Sequence, residues 1–383
     1  MNEPKLRFPK FSGEWEKKKL GELLTYEQPT PYLVTDTNYK KSGIPVLTAG
    51  KTFILGYTDE THGVYDNLPV IIFDDFVTES KFVDFPFKVK SSAMKMLKLL
   101  DENNNLHLIY ELMQLLQYPV KEHKRYWISE YSRLTIPLPP SPAEQDKIAS
   151  CLSAMDELIA AQAEKVEALK EKKTGLMQQL FPQPGETTPR LRFPEFTGEW
   201  EEKNINDCFE FKQGVQCPVD LQALQKKDGY IRFIRIIDLT QSGEPPRYIA
   251  DPGLAHHICK EDLFMVRYGS PGLVGYGYEG VIANNLFRLL PKFDMCTKFF
   301  KDILTALHKN IAALCGIGAL PAINFSTLGL LRISLPPTIA EQQKIADCLS
   351  ALDDQIAAET EKLTALKDYK KGLMQQLFPQ PAK

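Results

Sequence analysis

One short run of the sequence has the residue types of a phosphate-binding loop. Ala49-Gly50-Lys51-Thr52 matches the end of such a loop, but Pro45 stands where the loop needs its first glycine. Proline has no backbone N–H and a fixed φ, so it cannot help to cradle a phosphate. We therefore do not expect this run to bind phosphate.

Other polar clusters could in principle hold a metal ion. The carboxylates of Asp74, Asp75 and Glu79 precede Lys81, the residue types of a metal-dependent nuclease. These acids are too closely spaced to come from two neighbouring strands, so we expect a turn and its flanks. His256-His257 lacks further ligands at metal spacing. The sequence predicts no catalytic residues, no metal site and no enzymatic activity for this chain alone.

The overall composition gives little indication of a partner. The 383 residues include 46 basic and 49 acidic side chains, for a net charge of −3. Residues 1–138 and residues 191–335 each contain equal numbers of both signs. Phosphate binding would be easier to argue from a basic excess, so composition neither supports nor excludes DNA. The 7 cysteines are not spaced in pairs, and no apolar run approaches the length needed to span a membrane. Together these features predict a cytoplasmic protein.

The most informative feature is an internal repeat. The sequence of residues 6–15, LRFPKFSGEW, returns as LRFPEFTGEW at 191–200. A second shared block begins at residues 139 and 336 and continues without a gap to Pro182 and Pro379, with about two thirds of its positions identical. Between these blocks the two copies have no obvious resemblance. The chain thus alternates variable and constant segments, with predicted boundaries at 1–138, 139–184, 185–335 and 336–383.

Each constant segment is predicted to be one long helix. Both begin after Pro-Pro with an early Ala-Glu-Gln and stop at Phe-Pro, which are signals for the start and end of a helix. About 38 residues lie between these signals, and they would extend about 57 Å. The repeated ends of the chain also suggest that its two termini lie close together.

The apolar side chains of both segments follow a heptad pattern. The polar side chains Gln162 and Glu359 occupy equivalent a positions, and Lys173 and Lys370 occupy equivalent d positions, where a polar residue fixes register. We expect the two helices to pack as an antiparallel coiled coil with pseudo-twofold symmetry; the alternative is that each helix packs only on its own domain. The predicted apolar core of this helix pair is Ile148, Leu152, Met155, Ile159, Val166, Leu169, Leu176, Leu180, Ile345, Leu349, Leu352, Ile356, Leu363, Leu366, Leu373 and Leu377.

The variable segments have the pattern of mixed α and β domains. Apolar runs at 68–73, 81–85, 230–237 and 262–267 predict strands, and residues 104–117 and 297–315 predict helices. Gly, Asp and Asn turns separate these runs. The fold class is therefore α+β, with two globular domains separated by two long helices.

With this layout, the chain resembles the specificity subunits of type I restriction–modification systems over essentially its full length. The resemblance is carried by the LRFP…GEW starts, the Pro-Pro…Ala-Glu-Gln junctions and the Gly-Leu-Met-Gln-Gln-Leu-Phe ends. It also includes Gly43-Ile44-Pro45-Val46, Arg267-Tyr268-Gly269…Gly272 and Ala283-Asn284-Asn285.

The resemblance implies that each variable segment is a target recognition domain for one half of a bipartite double-stranded DNA site. The helices would set the distance between the half-sites and bind two methyltransferase subunits, and restriction–translocase subunits would join for cleavage. S-adenosylmethionine, Mg and ATP would then belong to those partner subunits, with no cofactor on this chain and no membrane association.

The sequence alone gives only candidates for the residues that contact DNA. Basic and aromatic side chains near the turns and glycine loops suit this role, because arginine can address guanine and lysine often contacts phosphate. Strand alternation places Arg232 and Arg235 on opposite faces, so the two need not share a role. The candidates are Lys40, Lys41, Lys51, Lys81, Arg232, Arg235, Arg267, Tyr276 and Tyr278.

Two other functions compete with DNA specificity. A coiled-coil scaffold that binds only proteins would also explain the long helices. A stand-alone enzyme would require a catalytic set, and none is recognisable in the sequence.

Overall fold

The structure, a computed structural model, describes residues 3–50, 52–116, 118–120, 124–183, 185–241, 243–315 and 321–379. The chain divides into two compact units, Met1–Ala163 with Glu361–Lys383, and Glu164–Thr360. Each unit combines one variable segment with the start of one long helix and the end of the other. In the described part of the chain, no helix has the length and apolar character needed to span a membrane.

In the first unit, the variable segment forms three small sheets. Strands β1 and β9 pair where the segment begins and ends, strands β2-β8-β5-β6 form an antiparallel sheet, and β4-β3-β7 includes one parallel pair, β3 with β7. The elements are β1 Glu16–Lys19, α1 Leu20–Leu23, β2 Leu24–Glu27, β3 Ile44–Leu47, β4 Ile54–Thr58, β5 Val70–Asp74, β6 Ser80–Val83, β7 Lys88–Val89, β8 Met94–Leu99, α2 Leu106–Gln114, α3 Tyr126–Ser129 and β9 Thr135–Leu138.

In the second unit, the variable segment has the same arrangement of three sheets with one additional strand, β14. Strands β10 and β19 pair at its ends, β11-β18-β15-β16 form the antiparallel sheet, and β13-β12-β17-β14 includes the parallel pair β12 with β17. The elements are β10 Glu201–Asn204, α5 Ile205–Cys208, β11 Phe209–Gln213, β12 Tyr230–Ile234, α6 Ile236–Thr240, β13 Arg247–Ala250, β14 His257–Ile258, β15 Leu263–Val266, β16 Val274–Gly275, β17 Gly280–Ile282, β18 Leu286–Pro291, α7 Thr297–Ala306, α8 His308–Ala313, α9 Phe325–Gly329 and β19 Arg332–Leu335.

The predicted strands and helices of the variable segments are present with shorter bounds. The run predicted over 230–237 ends as a strand at Ile234, because α6 begins at Ile236. Of the two helical stretches, the first is α2, and Gln117 at its predicted end lies outside the described residues. The second divides into α7 and α8.

The constant segments form α4 Pro142–Leu180 and α10 Ile339–Leu377, each 39 residues long. Both end immediately before Phe-Pro, as predicted from the restriction that proline places on the preceding residue. Within the first unit, the start of α4 packs beside the end of α10, and within the second unit the end of α4 packs beside the start of α10. The paired stretches therefore run antiparallel in each unit.

The apolar core of each unit joins the variable segment to the helices. In the first unit, Ile148 and Leu152 of α4 and Leu377 of α10 share a cluster with Phe73 and Trp127. In the second unit, a corresponding cluster contains Leu180, Ile345, Leu349, Phe299 and Trp200. Along both helices, every predicted apolar a and d side chain is buried or half-buried.

Candidate nucleic-acid interface

Two candidate lysines of the first variable segment are separated in the fold: Lys40 forms an isolated bridge with Tyr57 of β4, whereas Lys81 lies in β6. Lys40 and Lys41 are exposed, and the Lys40 ammonium pairs with Asp59. Lys81 is half-buried in β6, opposite Ile72 of β5. Lys51 lies outside the described residues. The structure therefore does not bring Lys40 and Lys81 together on one sheet.

In the second variable segment, three of the candidate side chains meet at Asp238, which is 2% exposed. Arg232 Nη2 lies 2.7 Å from Asp238 Oδ1, and Arg235 Nε lies 3.0 Å from Oδ2. The Tyr278 hydroxyl donates to the carbonyl of Asp238 at 3.1 Å. Strand alternation does not separate the two arginines, because β12 ends at Ile234 and Arg235 follows it at the start of α6.

Arg267 and Tyr276 make contacts elsewhere in the second unit. Arg267 Nη1 donates to Gln213 Oε1 at 3.0 Å, and the guanidinium lies 4.6 Å from the centre of the Phe325 ring. Tyr276 is half-buried against the apolar core that contains Phe299. The guanidinium of Arg267 is thus held within its own domain.

The acid-rich run of the first segment is a structural turn. Asp74 ends β5 and its Oδ1 accepts from Phe76 N at 2.8 Å. Asp75 is buried, lies 3.3 Å from Lys95 Nζ and accepts from Trp127 N at 2.7 Å. These contacts hold β8 and α3 against the hairpin of β5 and β6. The acidic run therefore forms a turn and its flanking strands.

A buried ion pair joins the LRFP segment of each unit to a long helix, which sequence reasoning did not identify. Arg7 forms two hydrogen bonds of 2.8 Å with Glu144, and Glu144 is 1% exposed in the first turn of α4. In the second unit, Arg192 Nε and Nη2 donate to Glu341 at 2.7 and 2.8 Å. All four residues lie in the repeated blocks. The same residue types at equivalent positions of both copies were the sequence signal that could have identified these ion pairs.

The two Arg–Glu ion pairs differ in one contact. Trp200 Nε1 donates to Glu341 Oε1 at 3.2 Å. The equivalent Trp15 Nε1 is buried and has no hydrogen-bond partner among the described residues. Glu341 therefore has a donor besides Arg192, and Glu144 has no matching tryptophan donor.

The lysine at a heptad d position of α10 is paired with acids. Lys370 Nζ lies 2.7 Å from Asp156 Oδ1 of α4 and 2.8 Å from Glu111 Oε1 of α2, and Glu111 is 2% exposed. Burial alone would lower the pKa of Lys370, but the hydrogen bonds to Asp156 and Glu111 outweigh it and raise the pKa. Lys370 therefore links both helices to the variable segment of the first unit.

The second unit has an equivalent cluster around Lys173. Its Nζ lies 2.5 Å from Asp353 Oδ1, and Lys301 Nζ lies 3.1 Å from Asp353 Oδ2 and 2.7 Å from Asp302 Oδ1. Burial opposes ionisation of Asp353, but the contacts with Lys173 and Lys301 lower its pKa. The polar d positions are therefore sites where each helix pair is linked to α2 or α7.

Within the described residues, His107, Glu111 and Asp156 are close enough together to hold a metal ion. The Lys370 ammonium already contacts both carboxylates, so it supplies the positive charge that a metal ion would bring. His107 Nε2 lies 3.7 Å from Glu111 Oε1. Burial, together with the charge of Lys370, lowers the pKa of His107 although Asp156 opposes this. The ammonium and the neutral imidazole thus coexist in one cluster.

This cluster predicts a pH-dependent effect of the substitution Lys370→Met. Without Lys370, Glu111 and Asp156 lose their cation, and we expect the unit to lose about 2 kcal/mol of stability at pH 8. At pH 6 the loss should be smaller, because the pKa of His107 rises and its protonated ring replaces the missing charge. The checks are urea denaturation at both pH values and an NMR titration of His107.

Lys173→Met is the matched control for this prediction. Lys301 remains beside Asp353, and the contacts that define this cluster involve no histidine. The loss of stability should therefore be similar at pH 6 and pH 8. An unchanged pKa of His107 in Lys370→Met would contradict the account.

Comparison with known proteins gives a consistent result over the whole chain. The type I restriction modification DNA specificity domain matches twice, over residues 12–171 and 197–368. The chain is 48% identical over 375 residues to the type I restriction enzyme EcoR124I/EcoR124II specificity subunit of Escherichia coli, a match that covers 90% of this chain and 88% of that protein. It is 23% identical over 415 residues to the type I restriction enzyme MjaVIII specificity subunit of Methanocaldococcus jannaschii, covering 97% and 93%.

Solved structures support the same fold. The S subunit of a type I restriction-modification system from M. genitalium has a TM-score of 0.69 at 18% identity and covers 99% of this chain and 100% of its own. A chain from a study of complex assembly and conformational transition of the type I R-M system has a TM-score of 0.53 at 16% identity, covering 95% and 97%. At these identities the likeness concerns the fold alone.

Proposed function

The chain belongs to the type I restriction–modification DNA specificity family, and we propose that it is the subunit that selects the DNA sequence in such a system. Each variable segment would read one half of a bipartite double-stranded site. The paired helices would set the distance between the half-sites. This division of roles uses the domain boundaries predicted from the repeat, at residues 138, 184 and 335.

One observation carries the proposal: two domains with the same arrangement of sheets have different sequences and are attached in the same way to helices that are about two thirds identical. Three features recur in both units. They are the terminal strand pair (β1–β9 and β10–β19), the buried Arg–Glu ion pair, and the cluster around the lysine at a d position. Two domains that read different half-sites need different sequences, but they need the same attachment to the helices. A protein scaffold would give no reason for two domains of one topology to differ in sequence.

The chemistry would lie with partner subunits. Two methyltransferase subunits would bind the helices and bring S-adenosylmethionine, and restriction–translocase subunits would bring ATP and Mg, in the cytoplasm. The polar clusters of this chain support a non-catalytic role, since the acids around Lys370 and Lys173 are neutralised by lysine. Asp75 is likewise paired with Lys95.

A comparison of methylomes tests the proposal. The host genome is sequenced for modified bases with the gene intact and with it deleted, the methyltransferase genes remaining in place. We expect one bipartite, asymmetric methylation motif to disappear on deletion and to return on complementation. Identical methylomes would contradict the proposal.

The scaffold alternative has its own test. The chain assembled with its methyltransferase partner is measured by fluorescence anisotropy on a matched duplex and on a shuffled duplex, at increasing salt. A specificity subunit should bind the matched duplex more tightly by a factor of at least about 10³ at physiological salt. Equal binding to both duplexes would favour the scaffold.

A further inference from the structure

A polar cavity of about 260 Å³ lies in the second unit, where the end of β12 meets the turn between β17 and β18. Its lining residues include three with amide side chains, Gln222, Asn284 and Asn285, together with Arg235 and Tyr268. Of these, only Arg235 is a DNA candidate from the sequence. We propose that this cavity is where the second domain reads base edges of its half-site, with the amides addressing adenine and Arg235 addressing guanine. The inference rests on the proposed function.

The turn that presents the two asparagines is fixed by its backbone. Leu286 N donates to Ala283 O at 2.9 Å, and Arg267 N donates to Asn285 O at 2.9 Å. Gly214 packs so closely against this turn that a Cβ atom would lie 2.2 Å from Ala283 O. Because these backbone groups are already bonded, the turn that carries Asn284 and Asn285 is held in place before any ligand arrives, which lowers the entropic cost of binding.

Asn285 has an unsatisfied acceptor. Its Oδ1 is buried and has no hydrogen-bond partner among the described residues. A buried polar atom without a partner is unfavourable, so a ligand that supplies a donor is favoured there. An amide addresses adenine by accepting from the N6 amino group and donating to N7, which fits this acceptor.

Arg235 is held by one edge of its guanidinium. Its Nε and Nη2 lie 3.0 and 3.3 Å from the carboxylate of Asp238, and Nη2 also lies 3.2 Å from Pro245 O. Among the described residues, the bonds of Arg235 involve Nε and Nη2, and Nη1 remains for a ligand. Arg232 contacts the same carboxylate, so two positive groups share one negative charge. The excess of positive charge favours guanine O6 and N7, which are both acceptors.

Two exposed apolar side chains lie just before Gln222 in the chain. Val219 and Leu221, immediately before Gln222, are 75% and 61% exposed. In DNA, an apolar side chain beside an amide can contact the methyl group of thymine. The cavity residues and these two neighbouring side chains therefore offer contacts of the kinds used for direct base readout.

The test uses the full chain expressed with its methyltransferase partners and a plasmid library of single-base variants of the methylated motif. In Asn285→Ala, we expect discrimination at one position of one half-site to fall about tenfold to a hundredfold. Gln222→Ala and Arg235→Lys should each relax a position of that same half-site. The other half-site and the spacer should be unchanged. Asn310→Ala removes an exposed amide of the same unit, outside the cavity lining, and should leave the motif unchanged.

The outcomes separate this inference from the proposed function. If the unsubstituted chain directs no bipartite motif, the proposed function fails. If it directs one and none of the three variants relaxes any position, the cavity is not the reading site. If Asn285→Ala lowers the melting temperature and abolishes methylation, the test rests on Gln222→Ala and Arg235→Lys, because both leave the turn intact. An unchanged methylation motif in these two variants overturns the inference.

Discussion

Replacing Arg7 with methionine is expected to lower the free energy of unfolding of the first unit by about 3 kcal/mol. The substitution leaves the carboxylate of Glu144, which is 1% exposed, without the two hydrogen bonds of 2.8 Å that neutralise it. A buried charge without a partner is far more costly than the pair itself is stabilising. Urea denaturation followed by tryptophan fluorescence measures the loss.

The second unit and a double variant provide the controls. Arg192→Met should cost about 1 kcal/mol less, because Trp200 still donates to Glu341. Replacing both members of the first pair, Arg7→Met with Glu144→Leu, should recover most of the loss because no buried charge remains. Equal losses in Arg7→Met and the double variant would show that burial of Glu144 is not the cause.

Lengthening both helices by one heptad is expected to change the DNA site. Duplicating residues 157–163 and 354–360 adds seven residues at equivalent positions of α4 and α10, and preserves the a and d phase of both. Each helix gains about 10.5 Å, which corresponds to about three base pairs of DNA. The methylated motif should keep both half-sites and accept a spacer longer by about three base pairs, with the original site lost.

An insertion in α4 alone is the control for helix pairing. The antiparallel partners would then be mismatched over part of the heptad pattern, so we expect a lower melting temperature and loss of methylation at all sites. If the double insertion is active and its spacer is unchanged, the helices do not set the distance between half-sites.

The helices could be predicted from sequence because their signals are local. Proline near the start, Phe-Pro at the end and the heptad pattern gave α4 and α10 to within a few residues. The polar d positions at Lys173 and Lys370 were recognised, but not their partners. Glu111 beside Lys370 and Lys301 beside Asp353 belong to the variable segments, where no sequence identity between the copies points to them.

The recognition surface could not be predicted because it is assembled from distant residues. The cavity combines Gln222, Arg235, Tyr268 and Asn285, which no spacing rule connects. Arg232 and Arg235 were expected on opposite faces of a strand, yet they share Asp238 because the strand stops between them. The common topology of the two domains was likewise hidden, since strand pairing is set by packing rather than by identical residues.

The central claim is that each variable segment reads one half-site independently, and exchange of one segment tests it most directly. Residues 201–335 are replaced by residues 16–138, which joins the copies at the equivalent positions Trp15/Trp200 and Leu138/Leu335. With the pseudo-twofold symmetry predicted from the repeat, two identical readers should direct methylation of a bipartite motif with one half-site repeated in inverted orientation. Retention of the original asymmetric motif by this chain would contradict the account.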